Sequence, residues 1–268
     1  MTTYYFCMYF FVYGFLGWCT EVAYAAVKQK KFVNRGFLNG PICPIYGLGV
    51  GMVVQFMGPY KSNLVMLYVV SVIMVTTLEW ITGFILEKVF HNKWWDYSNM
   101  PLNLNGYVCL LFSLVWGIAC VAIVKWIHPF IHRLISYVPV TLGIIILIIM
   151  GIGVFADLYV TASGIFKVNK RLASMEKIAG ELREISNSIG ENIYRGVVEA
   201  MEMQAEVKEK IDISDELGER IRELKSSYNE LASRRSVMYK RLMKAYPKMK
   251  TKKYKDAWED LRHRWKFK

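Results

Sequence analysis

The sequence predicts an all-α fold, a polytopic membrane helix bundle of about five spans followed by a cytoplasmic helical hairpin or coiled coil. Three observations predict it. Hydrophobic residues make up 54% of the chain, although 21% of it is charged. The charges are segregated, since residues 1–165 hold 9 Lys and Arg and 5 Asp and Glu, whereas residues 166–268 hold 25 and 17. Finally, the apolar part contains stretches long enough to span a membrane, and some of these stretches belong to an internal repeat.

The predicted spans follow in order. The stretch 5–27 is long enough, as a helix, to cross a hydrocarbon core of about 30 Å. The second stretch, 41–57, is shorter and carries Pro41 and Pro44 among three glycines, which is typical of a marginal or broken span. The other spans are predicted over 64–90, 106–127 and 139–166. Together they define a transmembrane domain over residues 1–166.

The repeat relates two units, about 8–57 and 74–123. A shift of 66 residues aligns Gly17 with Gly83, Glu21 with Glu87, Asn39-Gly40 with Asn105-Gly106, Cys43 with Cys109, and Gly51 with Gly117. Each unit is an apolar helix ending in Glu, a polar loop ending in Asn-Gly, and a second apolar helix. Two passes per unit give both copies the same orientation, so the predicted repeat is parallel.

Orientation follows from the basic residues of the short loops. Lys and Arg are denser after the first span, at Lys28, Lys30, Lys31 and Arg35, and after the third than in the alternate loops. Because such loops stay on the cytoplasmic side, we expect the N-terminus outside, the tail inside, and both Asn-Gly loops facing the cytoplasm. The N-terminus lacks the pattern of a cleaved signal peptide, so the first stretch is expected to remain as a span.

The tail divides into a helical region, 167–246, and a basic, aromatic segment, 247–268. The fifth span is expected to run straight into the tail helix, and Ser214 is expected to cap a second helix. An apolar heptad seam runs from Leu217 to Ala245. Such a seam predicts either a hairpin or an intermolecular coiled coil, with a homo-oligomer or a partner helix, and the sequence leaves both open.

The last 35 residues, 234–268, are strongly basic, with 14 Lys and Arg against 3 Asp and Glu. Beside a membrane anchor, the favoured partner is the anionic lipid surface, at about 1 kcal/mol per basic residue close to it. RNA is the less favoured partner, so nucleic-acid binding is not expected. A solvated end that contacts nothing is the plainest alternative.

Several motifs of the apolar part resemble a known family. They are Tyr13-Gly-Phe-Leu-Gly-Trp18, Phe32-Val-Asn-Arg-Gly-Phe-Leu-Asn-Gly-Pro41, Cys43-Pro-Ile-Tyr-Gly47, Leu78-Glu79, Thr82-Gly83, Leu86-Glu87 and Trp94-Trp-Asp-Tyr-Ser98. These residues, within about 5–165, resemble the bacterial membrane proteins grouped as ABC transporter permeases of type IV. The resemblance implies a multi-pass permease of the bacterial cytoplasmic membrane. No Gly-x-x-x-x-Gly-Lys-Ser/Thr motif occurs, so ATP hydrolysis would require a separate ATPase subunit.

Buried polar side chains are the candidate site. An ionised group inside a span costs about 2.5 to 3.5 kcal/mol near the helix centre, so such groups usually face the protein interior and have partners. We expect Glu21 and Glu87 to pair with Arg35 and the Asn amides in a pseudo-symmetric polar site at the inner mouth of the bundle. A purely structural network is an equally weighted alternative. The full set is Glu21, Arg35, Asn39, Glu79, Glu87, Asp96, Asn105 and Asp157.

For two further motifs a structural role is preferred to a functional one. Asp96, in the Trp94–Ser98 motif, is expected to anchor a turn or to receive Arg35 from the other repeat. His128 and His132 stand four residues apart, but Pro129 intervenes and no third ligand is near, so we predict no metal site there. We also expect no cofactor, since no motif for one is present.

Three functions remain, in this order. The first is a transport component, indicated by the repeat, the buried carboxylates and the broken second span. The second is a membrane-embedded enzyme that acts on a lipid head group. The third is a scaffold that recruits partners through its tail. No nucleophile, base and orienting residue occur at motif spacing, so an enzyme is not the expectation.

Overall fold

The computed structural model describes residues 3–56, 62–202, 215–234, 236–251 and 253–264. It confirms an all-α, membrane-type bundle, in which the strands that accompany the helices have two residues each. The helices are α1 (Thr3–Gln29), α2 (Pro44–Phe56), α3 (Leu64–Phe90), α4 (Leu110–Ala122), α5 (His128–Ser136), α6 (Val140–Glu202), α7 (Asp215–Ser233), α8 (Val237–Ala245) and α9 (Lys255–Arg264). The strands are β1 (Asn92–Lys93), β2 (Asn103–Leu104), β3 (Val108–Cys109) and β4 (Lys250–Thr251).

Within the described residues, four helices are long and apolar enough to cross a membrane: Thr3–Gln29, Leu64–Phe90, Leu110–Ser136 and Val140–Glu191. The second predicted span contains only the 13-residue α2. At about 1.5 Å per residue α2 is about 20 Å long, which is shorter than a hydrocarbon core. The polar loop with Pro41 precedes α2, so the α2 helix alone does not cover the predicted span.

The fourth apolar stretch differs from its predicted limits, 106–127. It begins later, because β2 and β3 pair antiparallel and end the loop at Cys109. It also continues farther, since α4, a π-helical segment at Ile123–Ile127 and α5 follow one another without a break. Pro129 does not end the helix; it is the second residue of α5 and closely follows the π-helical segment.

The two repeat units pack their helices in the same way. Helix α2 returns along α1, and α4 returns along α3. A Cβ on Gly51 would lie 3.1 Å from the Phe6 ring, and one on Gly117 would lie 2.3 Å from the Val72 side chain. Since Val72 follows Phe6 by the repeat shift of 66 residues, both hairpins use an equivalent glycine for close helix contact.

The chain forms two compact units, 1–166 with 237–251, and 167–236 with 252–268. The first contains the apolar helices, and its core includes Tyr9, Val53, Leu67 and Cys120. The second contains the remainder of α6 with α7 and α9. There Arg220 pairs with Glu181 at 3.2 Å, and the Arg171 guanidinium donates to the Arg234 carbonyl, so α7 runs antiparallel to α6 as a hairpin.

The predicted second tail helix is divided. The heptad seam from Leu217 to Ala245 breaks where α7 ends at Ser233, and the helix resumes as α8 in the first unit. Leu224 of the seam is buried in the second unit, whereas Leu242 and Ala245 of the seam are buried in the first. The expected N-cap, Ser214, lies outside the described residues.

Candidate functional site

The polar loop of the first repeat, residues 30–43, folds back into the bundle. Lys30 leaves α1 with a left-handed φ of 51°. The Cys43 N–H then donates to the Gly14 carbonyl at 2.9 Å. Gly14 lies about four turns before the end of α1 at Gln29, or about 22 Å along the helix. The irregular backbone that enters the bundle at Ile42 and Cys43 is covered by protein, since both residues are buried, as non-helical backbone at membrane depth requires.

Each repeat holds a carboxylate by the same contact. A tyrosine ring packs on a glycine of a long helix, and the tyrosine hydroxyl donates to the glutamate that follows this glycine by four residues on the same helix. The members are Gly17, Tyr46 and Glu21 in the first repeat and Gly83, Tyr107 and Glu87 in the second. The hydroxyl-to-carboxylate distance is 2.6 Å in the first repeat and 2.9 Å in the second. We call these the Gly-Tyr-Glu contacts.

The first Gly-Tyr-Glu contact also includes a cation. Arg35 Nε lies 2.8 Å from Glu21 Oε2, with about a quarter of each side chain exposed. The guanidinium also lies over the Tyr24 ring, 5.2 Å from its centroid. Partial burial strengthens such an ion pair relative to one at the surface.

Glu79 is the acidic residue of α3 whose charge acts on tyrosines of both repeats. It accepts a hydrogen bond from the Tyr97 hydroxyl. Its charge also acts on Tyr46, as does the charge of Glu21. Burial first, and then the Glu79 charge, raise the pKa of Tyr97 above its ordinary value. Likewise burial, followed by the Glu87 carboxylate, raises the pKa of Tyr107 to about 12. Both loop tyrosines are therefore hydrogen-bond donors at neutral pH.

The comparisons with known proteins find one family. The model of the family described as "Putative ABC-transporter type IV" matches residues 8–162, more than half of the 268 residues. The chain belongs to this family. No curated protein and no solved structure matches the chain. The matched region contains both Gly-Tyr-Glu contacts and Glu79, while 163–268 lies outside it.

Within the region of the type IV family, the structure brings some predicted residues together and separates others. Glu21 and Arg35 form the expected pair. The Asn39 amide does not contact Glu21, because it donates to Asp157 Oδ1 at 2.7 Å and to Thr161 at 2.9 Å. Asp157 also accepts the Asn39 and Gly40 N–H groups, at 3.0 and 2.6 Å. Asp157 thereby fixes the first Asn-Gly loop to α6 through several donors.

The second Asn-Gly loop has a different anchor. Asn105 and Gly106 are left-handed, with φ of 55° and 69°, and the Asn105 carbonyl accepts from Lys93 Nζ at 2.8 Å. A Cβ on Gly106 would lie 2.4 Å from Ser98 Oγ, so glycine is required there for both conformation and space. The second loop is thus anchored through the Asn105 carbonyl, while Glu87 accepts from the Tyr107 hydroxyl.

Asp96 pairs with lysines rather than with Arg35. Its carboxylate lies 3.3 Å from Lys93 Nζ and 2.9 Å from Lys250 Nζ, and it accepts from the Ser98 hydroxyl at 2.5 Å. Burial acts to raise the pKa of Asp96, but the bonds from Ser98, Lys250 and Lys93 outweigh it and lower that pKa. The network is therefore complete above about pH 4, and its stabilisation is lost only as the pH falls below that value.

A segment of the tail, residues 237–251, covers the loops of both repeats, which sequence reasoning missed. Arg241 donates to the carbonyls of Gly36 and Phe37 at 3.0 and 2.9 Å. Strand β4 pairs antiparallel with β1, and Lys250 reaches Asp96. The Tyr246 ring packs on Trp94, with centroids 5.3 Å apart. We call this segment the tail strap.

The tyrosines at the centre of the site were also missed. Tyr46, Tyr97 and Tyr107 each place a hydroxyl on a carboxylate. Tyr46 and Tyr107 do not align under the repeat shift, since Tyr46 corresponds to Phe112 and Tyr107 to Pro41. The one available signal was that both tyrosines lie close to an Asn-Gly pair.

Proposed function

We propose that this protein is the membrane-spanning transport component of an ABC-type system, and that its solute passes the cluster of Glu21, Arg35, Tyr46, Glu79 and Tyr97. We define these five residues as the mouth cluster. The observation that carries the proposal is the entry of a polar, non-helical loop into the bundle, where its Arg35 pairs with Glu21 of α1, close to the Glu79 carboxylate that acts on Tyr46. Short, interrupted segments in repeated positions are the typical sign of a transport site.

The charges of the mouth cluster favour a cationic solute. The cluster holds two carboxylates and one guanidinium. Arg35 is paired with Glu21, and Glu79 has a tyrosine hydroxyl as its hydrogen-bond donor. A solute that carries an amino group or another positive charge would complete this arrangement, because a buried carboxylate is stabilised by an opposite charge.

Energy for transport would come from a separate ATPase subunit, because the chain has no Gly-x-x-x-x-Gly-Lys-Ser/Thr motif. The family and the apolar helices favour a location in the bacterial cytoplasmic membrane, and the basic loops favour an orientation with the mouth cluster and the tail on the cytoplasmic side. There the basic residues of 234–268 would lie close to anionic lipid.

The test combines co-purification with flux. The protein is purified in mild detergent, and partners are identified by mass spectrometry. The protein is then reconstituted in proteoliposomes with its ATPase and a defined mixture of small amines and amino acids, and uptake is read by mass spectrometry. We expect Glu79→Gln to reduce uptake of a cationic member at least about tenfold, since one charged hydrogen-bond partner is worth about 1.5 to 3 kcal/mol. Glu259→Gln, at an exposed position of α9, should leave uptake unchanged.

Two outcomes would contradict the proposal. A chemically altered lipid without net flux would identify a lipid-modifying enzyme. A phenotype that survives Glu21→Gln and Glu79→Gln but is lost when 167–268 is deleted would identify a scaffold that acts through its tail.

A further inference from the structure

The contacts within the mouth cluster leave hydrogen-bond donors unused at Arg35. Its Nε atom lies 2.8 Å from Glu21 Oε2, and its guanidinium lies over the Tyr24 ring. Among the residues that the structure describes, none accepts a hydrogen bond from either Nη atom of Arg35. About a quarter of the side chain is exposed, so a solute can reach these atoms. Two guanidinium amino groups together bind a carboxylate in the bidentate manner.

The surroundings of Glu79 leave hydrogen-bond acceptors unused instead. Glu79 accepts from the Tyr97 hydroxyl, and it forms no ion pair with a described Lys, Arg or His. The Tyr46 hydroxyl donates its proton to Glu21 at 2.6 Å. Because a hydroxyl has one proton, Tyr46 and Tyr97 can offer only lone pairs to a solute. The Glu79 end of the mouth cluster therefore presents oxygen acceptors.

The two tyrosines connect the Arg35 end with the Glu79 end. Tyr97 donates to Glu79, and the charges of Glu21 and Arg35 act on Tyr97 as well. Tyr46 donates to Glu21, and the charge of Glu79 acts on Tyr46. The Arg35 guanidinium and the Glu79 carboxylate thus border the same two tyrosines without pairing with each other. One solute can therefore contact both groups.

A solute with a single charged group matches only one end of the cluster. An ammonium group has three N–H donors and no acceptor, so it suits the oxygen atoms around Glu79. An amine that has no other polar group leaves the Arg35 donors unmatched. A carboxylic acid without an amino group matches Arg35, but Glu79 repels it. A molecule that carries both groups supplies the ammonium that Glu79 requires and the carboxylate that Arg35 requires.

We propose that the solute of the mouth cluster is an amino acid, with its ammonium group on Glu79 and its carboxylate on the Nη atoms of Arg35. This inference rests on the proposed function and identifies the positive charge of the solute as one end of a zwitterion. Arg35 determines specificity, because it distinguishes an amino acid from an amine. Glu21 is a positioning residue, since it holds the guanidinium at Nε and leaves both Nη atoms to the solute.

The test is equilibrium binding, which requires neither an ATPase nor flux. The full chain in phosphatidylcholine nanodiscs is titrated by calorimetry. The probes are the protein amino acids and γ-aminobutyrate, each compared with the amine and the carboxylic acid that retain only one of its two groups. We expect at least one amino acid to bind about tenfold more tightly than its matched amine, because the amine leaves the charged donors of Arg35 unpaired.

Two conservative variants assign the two ends of the solute. Arg35→Lys keeps a positive charge beside Glu21 but removes the bidentate donor, so the affinity for the amino acid should fall about tenfold while the matched amine binds as before. Glu79→Gln keeps an acceptor for the Tyr97 hydroxyl but removes the charge, so both probes should bind about tenfold more weakly. Arg133→Lys makes the same change at an exposed position of α5 and should alter neither affinity.

The outcomes separate this inference from the proposed function. An amine that binds as tightly as its amino acid, and that Glu79→Gln weakens, would overturn the zwitterion and leave the cationic solute standing. Binding that neither Glu79→Gln nor Arg35→Lys weakens, or no binding of any probe, would overturn both. Phosphatidylethanolamine added to the nanodiscs also carries an ammonium group and an acid. Binding of this lipid in place of every soluble probe would overturn the amino acid and favour a lipid head group.

Discussion

At the scale of single residues, each Gly-Tyr-Glu contact depends on its glycine, because only a residue without a side chain lets the tyrosine come close enough to donate to the glutamate. The Tyr46 ring lies so close to α1 that a Cβ on Gly17 would be 2.4 Å from Tyr46 Cβ. The ring therefore lies on bare backbone, and its hydroxyl reaches Glu21 one turn away. At Gly83 the corresponding distance, to Tyr107 Cδ1, is 3.0 Å, so the second contact is looser.

We expect Gly17→Ala to destabilise the protein by about 1 to 3 kcal/mol, because an added methyl overpacks this contact and forces α2 away from α1. Thermal unfolding in detergent should show the lower midpoint. Gly83→Ala should have a smaller effect. Gly151→Ala is the matched control, since its Cβ would meet no other segment of the described chain within 4 Å, and it should not lower the midpoint. Equal midpoints for Gly17→Ala and Gly151→Ala would contradict the close packing.

At the scale of elements, the tail strap is held mainly by backbone groups of the loops. Arg241 donates to two successive carbonyls, those of Gly36 and Phe37, which a helix or a strand would otherwise use. Burial lowers the pKa of Arg241, but a guanidinium starts so far above neutrality that it stays charged. Helix α8 buries Tyr239, Leu242 and Ala245 behind this contact.

We expect Arg241→Ala to loosen the tail strap, because a hydrogen bond to a charged group contributes about 1.5 to 3 kcal/mol. Hydrogen exchange of peptides from 237–251 should become faster by about tenfold or more, since 1.4 kcal/mol corresponds to a factor of ten. Lys248→Ala, at an exposed position of the same segment, is the control. Unchanged exchange in Arg241→Ala would show that β4 and the apolar face of α8 hold the segment without it.

At the scale of the whole molecule, the short α2 decides the topology. If the loop 30–43 and α2 together complete a crossing, the chain crosses five times and its termini lie on opposite sides. If they do not, it crosses four times and the termini lie on the same side. The basic loops after α1 and α3 favour five crossings with the N-terminus outside.

Fusion reporters test this topology. We expect a C-terminal green fluorescent protein to fluoresce, a C-terminal alkaline phosphatase to be inactive, and an N-terminal tag to be cleaved by protease added from outside. A tag that is protected while the C-terminal fluorescent protein is bright would place both ends inside and would exclude a crossing by α2.

The sequence by itself determined the helical class, the family and the repeat. Long apolar runs such as that of α3 form helices for local reasons, since a chain in lipid must satisfy its backbone within the segment. The pairing of Glu21 with Arg35 was also predictable, because a buried charge requires a partner and few were near in sequence.

Tertiary structure alone decided the rest, because the deciding contacts join residues distant in the chain. Asp157 accepts a hydrogen bond from Asn39, which precedes it by 118 residues, and Arg241 donates to the carbonyl of Gly36, which precedes it by 205 residues. The tyrosines that donate to carboxylates do not recur at a fixed spacing in the sequence, so the donors to Glu21, Glu79 and Glu87 could not be identified from it. The π-helical segment at Ile123–Ile127 was likewise not predictable, because one extra residue in a turn leaves the hydrophobic pattern that predicts the helix unchanged.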